Sequence, residues 1–510
     1  MLRLAPSLLT LIFVLGCTSS PLTAAESKQP NIILIMADDM GFSDLGCYGG
    51  EINTPNLDKL AQAGVRWTQF YNNAKCTTTR ASLITGLTPR RRGNLLKPNM
   101  VTIAEVLKSA GYRTGLSGKW HLGSQAPHRP SDRGFDHYYG LLDGACNFFD
   151  PYYPDPPFKG GRRRVFAEDD EIITEFPPGY YTTNAFTEDA VDFVKTSSKE
   201  PEPFFLQVCY TAPHYPLHAP EEDVARYLGK YQQGWEQLRA ERYQRQLAMG
   251  LLANPWELPA PDPEVTPWSE ADAHDWQDRR MAVYAAMVEI MDRGIGEILQ
   301  ALEDEGVREN TIVMFLSDNG GCAEIPGGED PSQKPGVMET YTTVGPGWAY
   351  ASNTPFRRYK QWVHEGGIAT PFIVHWPGKI EGGTFNRNVG HIIDVMPTCV
   401  ELAGTTYPDS YNGEAIEPVE GVSLLTAMKS NETQPELNER TLYWEWNGSR
   451  AVRVGEWKLC WDKKVKEWEL YHITTDRTEL NDLANEQPDR VKEMSAAWEA
   501  WAERTGVKSN

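Results

Sequence analysis

The stretch "AKCTTTRASLITG", residues 74–86, sets Cys76 in front of Thr77, Thr78, Thr79 and Arg80, where a helix begins. The free N–H groups and the dipole at a helix start favour an anion. A thiol there is placed as a nucleophile, although cysteines of exported proteins are ordinarily disulfide halves or small buried hydrophobes. Two acidic pairs accompany it: "NIILIMADDMG" ends on Asp38 and Asp39, and "NTIVMFLSDNGG" ends on Asp318 and Asn319. Three carboxylates and an amide oxygen suit a hard divalent cation, Ca²⁺ or Mg²⁺ rather than zinc. Each pair alone also makes an acceptable turn. "SGKWHLG" puts Lys119 and His121 two apart, on one side of an extended segment. There, a cation and an imidazole could bind an oxyanion and move a proton. His214 in "APHYP" and Lys360 in "NTPFRRYKQWVHEGG" complete the set. Taken singly they read as a loop histidine and a solvated charge run.

These residues need a scaffold that brings distant segments together. Short apolar runs alternate with helical stretches after Gln29, which predicts an α/β fold: a large mixed, mostly parallel sheet flanked by helices. "TPNLDKLAQAGVRW" and "VTIAEVLKSAGYRTGL" each read as a helix closed by glycine and followed by a strand. In open sheets of this kind, ligands collect at the carboxyl ends of strands. Asp38, Asp39, His214, Asp318 and Asn319 all fall at such ends. Residues 221–278 form a Trp-, Pro- and charge-rich insertion that reads as a lid or rim. From Thr441 short strands and a final helix predict a small C-terminal α+β subdomain with an antiparallel sheet. The expected division is a leader at 1–25, a catalytic domain at 29–405 carrying the insertion 221–278, and a C-terminal subdomain at 406–510.

The 510 residues carry 70 acidic and 49 basic side chains, a net charge of −21. Such a field repels nucleic acid and anionic lipid, so an anionic substrate requires a locally basic pocket. Arg3, the apolar run Leu8 to Leu15 and the small residues before Glu26 read as a secretory signal peptide, too short for a membrane span. This predicts a periplasmic or extracellular protein. Thr23-Ala24-Ala25 offers ordinary cleavage; Val14-Leu15-Gly16-Cys17 loosely resembles a lipobox that would leave a lipid on Cys17, and bulky Leu15 weighs against it. Eight widely spaced cysteines without a C-x-x-C pair predict one or two disulfides at most.

At Cys76, Arg80, Leu83, Thr85 and Gly86 the chain resembles the sulfatase family, formylglycine-dependent members of the alkaline phosphatase superfamily, whose signature is C-x-P-x-R followed by x-x-L-x-T-G. "NIILIMADDMG", "GYRTGLSGKWHLG", "GFDHYYG", "TAPHYP", "LSDNGG", "EGGIATP" and the closing "WKLCWDKKVKEWELYHITTDRTELNDLAN" resemble family segments in the family's order. The resemblance implies an alkaline-phosphatase-like fold and hydrolysis of sulfate monoesters, arylsulfatase-like. It implies oxidation of Cys76 to formylglycine by a maturation enzyme. One hydroxyl of the hydrated aldehyde attacks sulfur, and the other loses its proton so that sulfate is expelled. By the same resemblance Asp38, Asp39, Asp318, Asn319 and residue 76 hold Ca²⁺, with Mg²⁺ as the alternative. Arg80 fixes the hydrated aldehyde, Lys119 and Lys360 neutralise the sulfate, His214 protonates the leaving oxygen and His121 accepts the second proton. Thr78 stands where proline is usual, which implies a different or more permissive maturation enzyme. Ala369 stands where many members carry arginine.

Two other functions compete. A phosphate ester presents nearly the same anion, but zinc phosphatases of this superfamily want more histidine ligands and a Ser or Thr nucleophile. A sulfated-glycan binder needs the charges but not His121 and His214. The substrate is an aryl sulfate or a sulfated carbohydrate. For a polysaccharide, "TPRRRG" (88–93) and "GGRRRV" (160–165) offer basic subsites and Trp235, Trp256, Trp268 and Trp276 offer stacking, against the ordinary readings of solvated surface and packing.

Overall fold

The computed structural model describes residues 1–2, 29–89 and 96–507. The leader segment from residue 3, with Cys17 and the cleavage site, and the arginines of "TPRRRG" lie outside the described residues. Among those described, no helix is long and apolar enough to cross a membrane.

Ten strands form the central sheet: β1 (Asn31–Ala37), β2 (Val65–Tyr71), β3 (Arg113–Gly118), β4 (His137–Leu141), β5 (Phe166–Glu168), β6 (Glu171–Ile173), β7 (Phe204–Cys209), β8 (Thr311–Ser317), β9 (Phe372–His375) and β10 (Thr384–His391). Their spatial order is β10-β2-β9-β8-β1-β7-β3-β4-β5-β6. The middle of the sheet is parallel, while β9 and the β5–β6 edge run antiparallel to their neighbours. β1 is buried along its whole length because helices cover both faces. Ile33, Ile35 and Ala37 face one layer, with α1 (Pro55–Ala63) and the long helix His274–Asp304. Ile32, Leu34 and Met36 face the other, with α2 (Cys76–Thr85) and α3 (Ile103–Ser109). The start of α3 is fixed by a reciprocal capping box between Thr102 and Glu105.

Beyond a short ladder, β11 (Ser410–Tyr411) with β12 (Glu414–Ala415), lies a separate antiparallel sheet of β13 (Thr441–Trp446), β14 (Ser449–Val454), β15 (Trp457–Asp462) and β16 (Glu467–His472). Alternation along its strands gives it two apolar faces. Val452, Leu459 and Leu470 pack under Trp498 and Trp501 of the last helix, Pro488–Thr505. Leu442, Trp444, Ala451 and Cys460 pack against Tyr71, Val363 and Ile368 of the main body. This second contact carries a buried ion cluster in which the Lys458 ammonium donates to Glu365 and Glu479 at 2.8 Å each, and Arg477 donates to Glu365 at 2.7 Å. Glu365 lies five residues after Lys360, so the small sheet braces the loop that carries that lysine. Lys458→Met, which keeps the stem but removes the cation that Glu365 and Glu479 share and leaves Glu365 to Arg477, is expected to cost about 3–5 kcal/mol. Urea denaturation checks this; a loss below about 1 kcal/mol would mean the cluster is relaxed by water.

The insertion is not a lid. The helix Gly234–Ala248 is wedged into the body by Arg239 and Arg242, both buried, and Arg242 pairs with Asp44 at 2.6 Å and with Glu51 at 2.8 Å. Trp235 stacks edge-on to Trp268 and Trp348 with centroids at 4.8 and 5.3 Å. Trp256 joins a small cluster with Tyr243 and Leu252, and Trp276 donates to the Gln333 carbonyl. The four tryptophans pack rather than present rings to a ligand. The "GGRRRV" arginines are also engaged: Arg162 with Asp143, Arg163 with the Tyr152 carbonyl and Arg164 with Asp155. The seven described cysteines are all buried and unbridged, within the upper bound of one or two disulfides.

Candidate active site

Strand register explains why distant residues meet. Ala37 is level with Ser317, Met36 with Cys209, and Cys209 with Gly118. Four neighbouring strands therefore end together, and the residues that follow them, Asp38-Asp39, Asp318-Asn319, Lys119 and the loop to His214, converge on one edge. Adjacent residues of a strand point to opposite faces, yet both aspartates serve the same pocket because Asp39 adopts a left-handed conformation, φ 67°. Its N–H donates to Asp318 at 3.1 Å.

Cys76 is the first residue of α2 and is buried. Its sulfur lies within 4.8 Å of carboxylate oxygens of Asp38 and Asp318. Arg80, one turn on, donates to Asp318 at 3.1 Å and to the Lys119 carbonyl at 2.8 Å. The Thr78 hydroxyl lies 3.0 and 2.9 Å from the carbonyls of Asn73 and Lys75, sharing its one hydrogen between them, just ahead of the helix. Lys119 pairs with Asp38 and Lys360 with Asp39, each at 2.6 Å and fully buried. Asn319 donates to Asp39 at 2.7 Å. The loop after Asn319 presses so closely on the glycine pair that a Cβ on Gly320 would lie 1.8 Å from the Gly366 carbonyl.

The two histidines arrive differently from the expectation. β3 ends at Gly118, but Lys119 and Trp120 still donate their backbone N–H groups to the carbonyls of Cys209 and Leu141 at 2.7 and 2.9 Å, and the chain leaves the extended path at His121, φ 62°. Its ring rests on Gly144, where a Cβ would come within 2.3 Å, and its Nδ1 is buried without a hydrogen bond. Burial first, then the charges of Lys119, Arg80, His214 and Lys75, push its pKa well below the usual value. His214 Nδ1 contacts the Tyr215 carbonyl, which can only accept, so Nδ1 carries the hydrogen and Nε2 faces Asp39 at 3.4 Å. Burial, then Lys360 and Lys119, also hold its pKa well below the usual value. The carboxylates divide. Burial and the neighbouring Asp318 push Asp38 well up, whereas for Asp39 burial is outweighed by Lys360, Lys75 and Asn319 and the pKa falls.

Asp38 Oδ1 and Asn319 Oδ1 are buried acceptors with no hydrogen-bond donor. With Asp39 and Asp318 alongside, they make an all-oxygen donor set that fits a hard cation. All the residues singled out in the sequence, Asp38, Asp39, Cys76, Arg80, Lys119, His121, His214, Asp318, Asn319 and Lys360, gather here. Two neighbours carried no sequence signal. Glu324 lies 3.5 Å from Lys360 and 3.6 Å from Lys75; burial opposes its charge, but those lysines hold its pKa down to about 2. Tyr215 donates to Glu324 at 3.2 Å.

The sulfatase family model matches residues 30–405, and a model described as N-sulphoglucosamine sulphohydrolase, C-terminal, matches 357–500. The chain is similar to the uncharacterized sulfatase PB10D8.02c of Schizosaccharomyces pombe, 32% identical over 95% of both chains. It is also similar to the arylsulfatase of Klebsiella aerogenes, 33% identical over 79% of this chain and 92% of that one. Among solved structures it resembles Ps i-CgsB in complex with k-i-k-neocarrahexaose, with a TM-score of 0.69, 27% identity and 93% of each chain covered. Since the family model spans most of the chain, including every residue that converges at the strand ends, this protein belongs to the sulfatase family and is a hydrolase of sulfate esters.

Proposed function

We propose that this is an exported, formylglycine-dependent sulfatase that cleaves a sulfate monoester with Ca²⁺ or Mg²⁺ held at the strand ends, and whose natural substrate is a sulfated carbohydrate. The observation that carries the reading is the meeting of Cys76 with three carboxylates, an unpartnered amide oxygen and five cationic or imidazole groups in one buried pocket. It resolves the charge problem: a chain of net charge −21 can take an anion where Arg80, Lys119 and Lys360 outnumber what their carboxylates neutralise once a cation is present.

Residue 76 becomes the nucleophile after maturation, a two-electron oxidation in which its carbon loses sulfur as sulfide and gains oxygen from water, with an oxidant such as dioxygen taking the electrons. One hydroxyl of the hydrated aldehyde forms a bond to sulfur as the bond to the leaving oxygen breaks. The other then gives up its proton, and the sulfate departs with its oxygen. Asp38, Asp39, Asp318, Asn319 and residue 76 would hold the cation, which would supply Lewis-acid stabilisation of the sulfate oxygens and lower the pKa of a nearby hydroxyl. Arg80 orients residue 76 from one helical turn away. Lys119 and Lys360 bind sulfate oxygens. His214 delivers a proton to the leaving oxygen through Nε2, and the incoming anion among the lysines raises the imidazole's proton affinity. His121, unprotonated in the resting site, accepts the proton released when sulfate departs. Residues 29–405 carry this chemistry, the 406–510 segment braces the Lys360 loop, and 1–25 directs export. The carbohydrate preference draws on the neocarrahexaose bound by a structural neighbour, and the aryl alternative draws on the arylsulfatase relative.

The test compares 4-nitrophenyl sulfate with 4-nitrophenyl phosphate, using protein matured in a host that converts sulfatase cysteines. Sulfate is expected to be preferred; preferred hydrolysis of phosphate would move the phosphoesterase reading forward. His214→Ala is expected to lower kcat/KM for a sugar sulfate by about 100-fold, the lower end of the general-acid range. The loss should be far smaller for 4-nitrophenyl sulfate, whose leaving group needs no proton.

A further inference from the structure

We propose that Lys159, set between Tyr215 and Tyr341, is a second anion-binding group on the leaving-group side of the pocket, so that the preferred substrate is a saccharide bearing another sulfate or carboxylate near the scissile ester. The inference rests on the reading above that Lys360 and Lys119 receive the scissile sulfate.

Lys159 closes a short helical turn, Pro157–Lys159. Its ammonium donates to the Tyr341 hydroxyl at 2.6 Å and lies 5.2 Å from the Tyr215 ring centroid. An ammonium has three donors, and among the described residues only the Tyr341 hydroxyl accepts from this one and no carboxylate lies within 4.0 Å of it, so two donors are left for a ligand. Burial, then the nearby Arg164 charge, push the Lys159 pKa down. An anion placed there would offset both effects. The ring of Tyr215 joins this ammonium to the catalytic groups. It stacks on His214 at 4.2 Å between centroids, and Lys360 lies 5.8 Å from its centroid. The two ammonium nitrogens, 5.2 and 5.8 Å from one centroid, are therefore at most about 11 Å apart. That separation matches substituents on one sugar ring or on adjacent rings.

A cavity of about 260 Å³ continues from this wall, lined by Pro216, Tyr341, Asn147 and Met338. Of the acids in its lining, Asp155 is paired with Arg164 and Glu339 is exposed. Tyr341, which accepts from Lys159, and Pro157, two residues before Lys159, belong to this lining, so the cavity adjoins the ammonium. On the opposite side Glu324, held ionised, takes the Tyr215 hydroxyl and fixes the ring. A planar aryl sulfate would leave Lys159 without an anion.

Isothermal titration in the Cys76→Ala background, which prevents turnover, tests this with mono- and disulfated hexoses and hexosamines sulfated at each ring position. At least one disulfated sugar is expected to bind about tenfold more tightly than its monosulfated counterparts. Lys159→Met should erase that ratio and Lys159→Arg should keep it. Equal affinities in the parent, or a ratio unchanged by Lys159→Met, would overturn the proposal. A uronate-bearing monosulfate matching the disulfated sugar would identify carboxylate as the second anion. Separately, matured protein that hydrolyses 4-nitrophenyl sulfate but lacks the ratio would reject the subsite alone. A ratio without any sulfate release would reject the catalytic reading alone.

Discussion

Cys76→Ala is expected to lower the release of sulfate from 4-nitrophenyl sulfate by on the order of 10⁴-fold or more, the scale on which loss of a covalent nucleophile acts. The argument is geometric and chemical together. The side chain starts α2, within 4.8 Å of the Asp38 and Asp318 oxygens, and Arg80 is locked to Asp318 and the Lys119 carbonyl one turn later. Cys76→Ser discriminates further. A serine has one hydroxyl, so after attack on sulfur no second proton is available to expel sulfate, and turnover should stop at a stable sulfated protein. The tryptic peptide Cys76–Arg80, released after Lys75, reports the state of the residue directly. In active protein its mass should fall by the difference between a CH₂SH and a CHO group. An unchanged thiol in fully active protein would sink the formylglycine mechanism, and an unchanged thiol in inactive protein would point to Thr78 as the block to conversion.

Removing divalent cations is expected to lower kcat/KM roughly a thousandfold, in keeping with the several kcal/mol that a metal contributes to a charged transition state. Burial and the Asp318 charge push Asp38 well up, while its Oδ1 and that of Asn319 lack donors. A divalent charge answers both conditions, so Ca²⁺ readdition should restore turnover and raise Tm through linkage to the folded state. Asp318→Ala should remove the Ca²⁺-dependent rise in Tm along with activity. Full activity in chelator, with no metal found by elemental analysis, would mean that the lysine–carboxylate pairs are the finished site.

Strand-end chemistry was legible because it depends on local pattern. "NIILIMADDMG" and "NTIVMFLSDNGG" declare both a buried strand and the acids that follow it, and the register of β1 with β8 then brings the acids level. Lys119 and Trp120 continue the backbone pairing of β3, as an extended reading expects, and the chain leaves that path only at His121, φ 62°. The tryptophans of the insertion looked available for stacking since composition does not say which way a ring faces; Trp235, Trp268 and Trp348 satisfy one another. The three arginines at 162–164 looked like a polyanion surface, and each has a partner earlier in the same connection between β4 and β5.

What the sequence determined by itself was the family, the mostly parallel α/β order and which residues the strand ends would bring together. Those follow from residue type, spacing and the period of apolar runs, all of which are local. Only the tertiary structure decided that Glu324 clamps Lys75 and Lys360, that Tyr215 links His214 to Lys159, and that a small antiparallel sheet braces the Lys360 loop through Glu365 and Lys458. Each of these couples segments far apart in the chain. Their partners are set by strand register and helix packing, which no window of sequence contains.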